Sequence, residues 1–105
     1  MKPVVLSRAE VQQRIQSVAS DVVRLGVRRL ALFGSVSRDA AGPDSDVDLL
    51  VEFAPEHKTL AHLVDLGDLL EAALGRRVEL VTPEGLSPFM RPRILADAVD
   101  VVRAA

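Results

Sequence analysis

The sequence predicts an α/β (α+β) fold in which helices pack on one side of a small mixed sheet. Two segments, residues 11–25 and 60–74, repeat apolar residues at spacings of three and four, as helices with one buried face do. Three shorter segments, residues 28–33, 46–53 and 76–81, are apolar or alternating, which is typical of strands. Because the two patterns are interspersed along one chain, we expect the order α-β-β-α-β-α around a single core.

The composition indicates one folded domain, residues 1–105. Apolar residues make up 49% of the chain, which is enough for one buried core without covalent cross-links. The absence of cysteine excludes disulfides and thiolate metal sites and suits a reducing compartment. We therefore expect a cytoplasmic protein.

The sequence also argues against two classes of partner. No stretch approaches the ~20 apolar residues that cross a bilayer, and the apolar run at residues 3–6 is too short for a signal peptide. The net charge of −2 is unlike that of most nucleic-acid-binding domains, which are basic. Neither a membrane nor direct nucleic-acid binding is expected.

The first helix is expected to begin at a capping box. Ser7 and Glu10 have the S-x-x-E spacing in which each side chain satisfies the other residue's backbone N–H. One apolar stripe follows, made of Val11, Ile15, Val18, Val22 and Leu25. Gly26 fits the left-handed position that ends such a helix.

Two predicted strands flank a loop in the middle of the chain. Residues 28–33 form a short apolar strand, and residues 34–45 form a loop with one helical turn. Residues 46–53 alternate, so that one face carries Val47, Leu49, Val51 and Phe53.

The second half of the chain repeats the alternation of helix and strand. Thr59 is a candidate cap for a helix whose apolar stripe is Leu60, Leu63, Leu66, Leu70 and Leu74, and Gly75 ends it. Residues 76–81 form the third strand, and residues 83–92 are rich in turn-forming residues. A short helix at residues 93–99 and an edge strand at residues 100–102 complete the prediction.

Two aspartates stand one residue apart in the second strand. Side chains on a strand alternate between faces, so Asp46 and Asp48 point the same way, about 6.6 Å apart along the backbone. A polar stripe facing solvent would explain them without any chemistry. The loop that precedes them favours a functional interpretation.

Gly34 and Ser35 lie where the first strand ends. Glycine lets the backbone approach a ligand closely, and Ser35 offers a hydroxyl and an N–H group to a phosphate oxygen. The surrounding residues do not form a Walker motif. The combination of Gly-Ser, ten residues and Asp-x-Asp is more specific than either half.

This combination resembles the signature of the DNA-polymerase-β-like nucleotidyltransferases. The fuller stretch LFGSVSRDAAGPDSDVDLLVEF is similar to the minimal nucleotidyltransferase (MNT) domains, which include MntA-like antitoxins. The resemblance extends to TLAHLVDLGDLLEAALG, RRVELVTPEGL and RPRILADAVDVV, and so covers nearly the whole chain. It implies a polymerase-β-like palm.

The resemblance assigns roles to particular residues. It implies that two Mg²⁺ ions are held by Asp46, Asp48 and Glu79, where many family members have aspartate at the position of Glu79. Such ions prefer oxygen ligands and stabilise the negative charge of a nucleotidyl transfer. It further implies that Gly34, Ser35 and Arg38 bind the phosphates of ATP. From the residues alone, Glu79 could also be a surface residue of its strand, and Arg38 could equally be a solvated loop residue.

The resemblance also implies a function and a partner. Relatives with other acceptors usually carry a further domain, for which 105 residues leave no room. Members of HEPN/MNT toxin–antitoxin systems transfer AMP from ATP to a tyrosine of a helical HEPN RNase toxin and so block it, which is the first hypothesis. One alternative is a non-catalytic antitoxin that neutralises its partner by forming a complex with it. Another is a nucleotidyltransferase subunit that acts on a small molecule.

Overall fold

A computed structural model describes residues 7–38, 42 and 45–104. Its helices are α1 (Arg8–Gln16), α2 (Ala19–Arg24), α3 (Gly34–Ser37), α4 (Leu60–Leu74) and α5 (Arg91–Asp97). Its strands are β1 (Val27–Phe33), β2 (Val47–Phe53), β3 (Val78–Val81) and β4 (Val99–Arg103). Single 3₁₀ turns lie at Pro55–His57 and Pro83–Gly85. The predicted helical turn after β1 is α3, while residues 39–41, 43 and 44 of the predicted loop lie outside the described residues.

The four strands form one mixed sheet in the order β3-β2-β1-β4. The pair β2 and β3 is parallel, and β1 is antiparallel to both β2 and β4. The mixed sheet and the edge position of the last strand are confirmed. The register places Asp48 of β2 between Phe33 of β1 and Glu79 of β3.

Helices α1, α2 and α4 cover one face of the sheet and form the main core. The predicted apolar face of β2 is buried there, since Val47, Leu49 and Val51 are almost inaccessible to solvent. The predicted caps of α4 are also present, because the Thr59 hydroxyl accepts the His62 N–H at 3.2 Å and Gly75 has a φ of 65°. These contacts confirm the predicted α/β architecture.

The first predicted helix is two helices in the structure. Ser7 caps α1 as expected by accepting the Glu10 N–H at 3.1 Å. The chain then tightens, because the Val18 N–H bonds to the Ile15 carbonyl at 3.0 Å instead of continuing the α-helical ladder. The Ser17 hydroxyl competes for the same turn by donating to the Arg14 carbonyl at 2.5 Å. The break keeps the predicted stripe facing the core on both sides of it.

The second face of the sheet carries a small apolar cluster covered by α5, so the helices are not confined to one side of the sheet as predicted. Leu50 and Ala31 are buried there beneath Leu86 and Ile94, of which Ile94 belongs to α5. The last helix begins at Arg91, two residues earlier than predicted. Pro92 lies in its first turn, where a backbone N–H would have no partner within the helix, so the missing N–H of proline costs nothing. This cluster divides the second face into two charged ends, and the alternation of side chains along β2 places Asp48 at one end and Glu52 at the other.

Candidate active site

The turn from β1 into α3 brings backbone against the Asp48 carboxylate. Gly34 has a φ of +76°, a conformation that side chains other than glycine's rarely adopt. A Cβ atom added at Gly34 would lie only 2.3 Å from Oδ2 of Asp48. The hydroxyl of Ser37, which is 5% exposed, donates to the Gly34 carbonyl at 2.7 Å and holds the turn closed. This position therefore requires glycine for two independent reasons.

Asp48 and Glu79 lie side by side because β2 and β3 run parallel in register. Burial, the negative charge of Glu79, a hydrogen bond with its side chain and the charge of Asp46 together raise the pKa of Asp48 to about 6. Burial is the largest of these causes. The fold thus brings together the two carboxylates that are 31 residues apart in the sequence.

Asp46 is near this pair but is held less directly. It precedes β2, which begins at Val47, where the Val47 N–H bonds to the Arg77 carbonyl at 3.0 Å. Its charge contributes to the pKa of Asp48, whereas Glu79 also makes a hydrogen bond. Within residues 7–38, 42 and 45–104, no three acidic, cysteine or histidine side chains already form a metal-binding arrangement. A residue outside the ladder keeps rotational freedom that a strand residue loses.

The three carboxylates have no paired cation in the part of the chain that the structure describes. Among the residues that the structure describes, no lysine, arginine or histidine forms an ion pair with Asp46, Asp48 or Glu79. Their oxygens are hard donors, which is the ligand type that Mg²⁺ takes. The donor set therefore fits a divalent cation, because such an ion would offset the burial and the repulsion that together raise the pKa of Asp48.

The two predicted phosphate-binding side chains have different surroundings. Ser35 lies in α3 directly after Gly34 and is partly exposed. Arg38 follows α3, and its Nη1 atom pairs with Oδ2 of Asp97 in α5 at 3.2 Å. Ser35 therefore directly follows the glycine that lies against Asp48. Arg38 links α3 to α5 and would have to exchange Asp97 for a phosphate.

Two features of the structure, one beside the carboxylates and one at the far end of the sheet, were not predicted from the sequence. Ser37 resembles any loop serine in the sequence, and only its burial and its bond to Gly34 identify its role. A cavity of about 530 Å³ lies at the opposite end of the sheet, lined in part by Arg28, Phe53 and Pro55. This cavity is not lined by any of the three carboxylates of the site, so the candidate site is identified by its charges and its backbone geometry.

No helix within the described part of the chain is long and apolar enough to cross a membrane.

The family model of the nucleotidyltransferase domain matches residues 15–101, which include all the site residues discussed above. Among curated proteins, the chain is 39% identical over 93 residues to a Methanocaldococcus jannaschii protein provisionally named a protein adenylyltransferase. That match covers 89% of this chain and 96% of the relative.

A second curated relative and two solved structures extend the comparison. The protein adenylyltransferase MntA of Thermococcus cleftensis is 42% identical over 78 residues, covering 74% of this chain and 78% of its own. A solved minimal nucleotidyltransferase superposes with a TM-score of 0.78 at 39% identity, covering 90% of this chain and 95% of the other. A complex of the tri-AMPylated Shewanella oneidensis HEPN toxin with its MNT antitoxin matches with a TM-score of 0.64. That match has 20% identity, covers 92% of this chain and 73% of the other, and shows a shared fold.

Proposed function

Because this chain belongs to the nucleotidyltransferase domain family, we propose that it transfers AMP from ATP to a tyrosine of a helical HEPN toxin and thereby neutralises that toxin. The observation that carries the proposal is the Asp48 carboxylate, held between Gly34 and Glu79 with no cation paired to it among the described residues. The names of the two curated relatives and the toxin–antitoxin complex of similar fold support the same reaction.

The proposal assigns Mg²⁺ to the three carboxylates. Asp46 and Asp48 would hold two ions, and Glu79 would complete one of them. When bound, these ions supply positive charge against the phosphates and lower the pKa of the attacking hydroxyl. The repulsion among the carboxylates supports this assignment, since it leaves the site electrostatically complementary to a divalent cation.

The transfer step is a substitution at phosphorus. The tyrosine oxygen forms a bond to the α-phosphorus of ATP, and the bond from that phosphorus to pyrophosphate breaks, with the electron pair leaving on pyrophosphate. The phenolic proton passes to a carboxylate oxygen of Glu79. Gly34 allows the backbone to approach the phosphates, and Ser35 and Arg38 contact them. Glu79 thus has two proposed roles, as a metal ligand and as the proton acceptor, whereas Ser35 and Arg38 only bind the phosphates.

The acceptor tyrosine belongs to another protein. The 105 residues contain no tyrosine, so the chain cannot modify a tyrosine of its own. Since ATP is the substrate and a chain without cysteine suits a reducing compartment, the proposed place of action is the cytoplasm.

Intact mass spectrometry tests the proposal. The chain is incubated with ATP, Mg²⁺ and the HEPN protein encoded beside it, and the HEPN protein is expected to gain one or more AMP masses. Asp46→Asn should abolish the gain. The proposal is wrong if Asp46→Asn/Asp48→Asn neutralises the toxin fully without any mass gain, since contact alone would then suffice. Labelling of a small molecule in the absence of any protein acceptor would likewise contradict it.

A further inference from the structure

The segment after β3 exposes apolar side chains of the kinds that interfaces favour. Phe89 is 95% exposed, Met90 57% and Leu95 40%, and all three lie on the turn before α5 or on α5 itself. Single exposed apolar residues are normal, but here three large ones fall within seven consecutive positions. Phenylalanine, methionine and arginine are enriched in protein interfaces. We call the set Phe89, Met90, Arg91, Arg93 and Leu95 the α5 surface.

The α5 surface is also positively charged. Arg91 and Arg93 are exposed, and neither forms an ion pair with another residue that the structure describes. The acidic residues of the same segment are already paired, Glu84 with Lys58 at 2.7 Å and Asp97 with Arg38 at 3.2 Å. Within the described residues, Arg91 and Arg93 therefore have no acidic partner, although Arg91 also donates a hydrogen bond to the Leu86 carbonyl at 3.5 Å. The complementary surface would combine apolar and acidic side chains.

The α5 surface is held in place from beneath. Ile94 and Leu86 pack onto Ala31 and Leu50 of the sheet. The turn is closed by the Ser87 hydroxyl, which accepts the Met90 N–H at 3.3 Å. A surface that is ordered before binding loses less conformational entropy when it docks. The exposed side chains are therefore presented by a supported element.

The same element is joined to the candidate active site. Leu50, which α5 covers, is the next residue after Asp48 on that face of β2. The pair Arg38–Asp97 joins α5 to α3, whose first residue is Gly34. A stable protein interface buries about 800 Å² per partner, or a patch roughly 30 Å across. The protein measures 43 × 32 × 23 Å, so an acceptor whose tyrosine reaches Asp48 would cover α5 as well.

We propose that the α5 surface is the docking surface for the acceptor protein, whose matching face is apolar and acidic. The inference rests on the proposed function, because it assumes that a protein supplies the reacting hydroxyl. It adds the place where that protein is held, separately from the carboxylates that carry out the transfer. The α5 surface therefore sets the KM for the acceptor, and the carboxylates set kcat.

The first test removes the apolar anchors. Phe89→Ser/Met90→Ser is expected to raise the KM for the purified HEPN acceptor about tenfold or more while kcat at saturating acceptor stays within twofold. The matched control is Leu60→Ser/Val64→Ser, which changes two side chains of α4 that are 76% and 53% exposed on the other side of the sheet. The control should leave both constants unchanged. Equal thermal melting curves for the two variants exclude a folding defect.

The second test reverses the charge. Arg91→Glu/Arg93→Glu should raise the KM for the acceptor at low salt by more than tenfold, and added salt should narrow the difference from wild type. Arg24→Glu, on the exposed face of α2, is the control and should have no effect on KM. An unchanged or lower KM for the α5 variant would mean that the acceptor surface is not acidic, and the inference would be wrong.

Binding separates this inference from the proposed function. If wild type transfers no AMP, the proposed function fails, and calorimetric titration of the Asp46→Asn protein with the HEPN protein still tests the α5 surface. Weaker binding with Phe89→Ser/Met90→Ser added supports the inference, and equal binding overturns it. A wild-type dimer that becomes monomeric in this variant, with KM unchanged, would assign the surface to self-association and also overturn it.

Discussion

The acidic residues at the two ends of the second sheet face differ in whether an arginine pairs with them. At one end, Asp48 and Glu79 lie together without a paired cation among the described residues, and the pKa of Asp48 rises to about 6. At the other end, Glu52 pairs with Arg29 at 3.1 Å, and the same arginine bonds to Asp100 at 2.6 Å. Asp48 and Glu52 belong to the same strand and point the same way. Their neighbours, and not their spacing, decide their chemistry.

The comparison separates charge that stabilises the fold from charge that serves the site. The hydrogen bond to Asp100 is the largest influence that raises the pKa of Arg29, so this end favours its ionised form. At the Asp48 end, burial and the neighbouring carboxylates raise the free-energy cost of ionising Asp48, and a bound cation would offset that cost. Sites that retain unfavourable charge in the free protein are typical of catalysis, where stability is exchanged for function.

The largest effect expected is the loss of activity in Asp48→Asn. AMP transfer should fall at least about 10³-fold, because losing a proposed metal ligand would remove several kcal/mol of transition-state stabilisation. Glu52→Gln, on the same face of the same strand, should leave the rate within about twofold and cost at most about 1 kcal/mol of stability. Rates by intact mass and unfolding by urea measure both quantities. Equal loss of activity in the two variants would remove the distinction between the ends.

A smaller effect is expected at the glycine that touches Asp48. Gly34→Ala should destabilise the protein by about 2–3 kcal/mol, because it adds a Cβ 2.3 Å from Oδ2 of Asp48 to the strain of a positive φ. Gly75→Ala is the matched control, since its φ is +65° but a Cβ there meets nothing within 4 Å. It should cost only about 1 kcal/mol and preserve activity. Similar urea midpoints for the two variants would show that Asp48 does not constrain position 34.

The smallest effect is the pH dependence of stability. The pKa of Asp48 in the fold, about 6, exceeds its ordinary value of 3.8, so the folded state favours the protonated form. The loss of folding stability caused by ionised Asp48 is fully present above pH 6 and disappears below about pH 4. Without Mg²⁺, Asp48→Asn should therefore be more stable than wild type by about 1 kcal/mol at pH 7, after allowance for solvent screening at this partly exposed group.

Urea unfolding at pH 7, 5 and 4 checks this dependence. The difference in free energy of unfolding between Asp48→Asn and wild type should shrink as the pH falls. Mg²⁺ should raise the Tm of wild type more at pH 7 than at pH 5. A constant difference across the range would contradict the raised pKa of Asp48.

The sequence was sufficient for features that depend on neighbouring residues. The caps Ser7 and Thr59, the buried alternation of β2 and the helical turn after Gly34 all follow from local patterns, and the structure contains each of them. Some predictions failed where distant residues interfere. Leu60 was assigned to the buried stripe of α4 but is 76% exposed, because the helix begins beyond the edge of the core.

The roles of the other site residues depend on contacts between distant parts of the chain. Gly34, Ser35, Asp46 and Asp48 could be selected from local spacing, because side-chain alternation and glycine's conformational freedom act over a few residues. The meeting of Asp48 with Glu79 needs the parallel register of β2 and β3, and the pairing of Arg38 with Asp97 joins residues 59 apart. Sheet register and burial determine which charges lie beside Asp48 and therefore its pKa. Register and burial arise only when the chain has folded. Spacing therefore selects the acidic residues, and the tertiary environment makes Asp48 a candidate ligand and Glu52 a partner of Arg29.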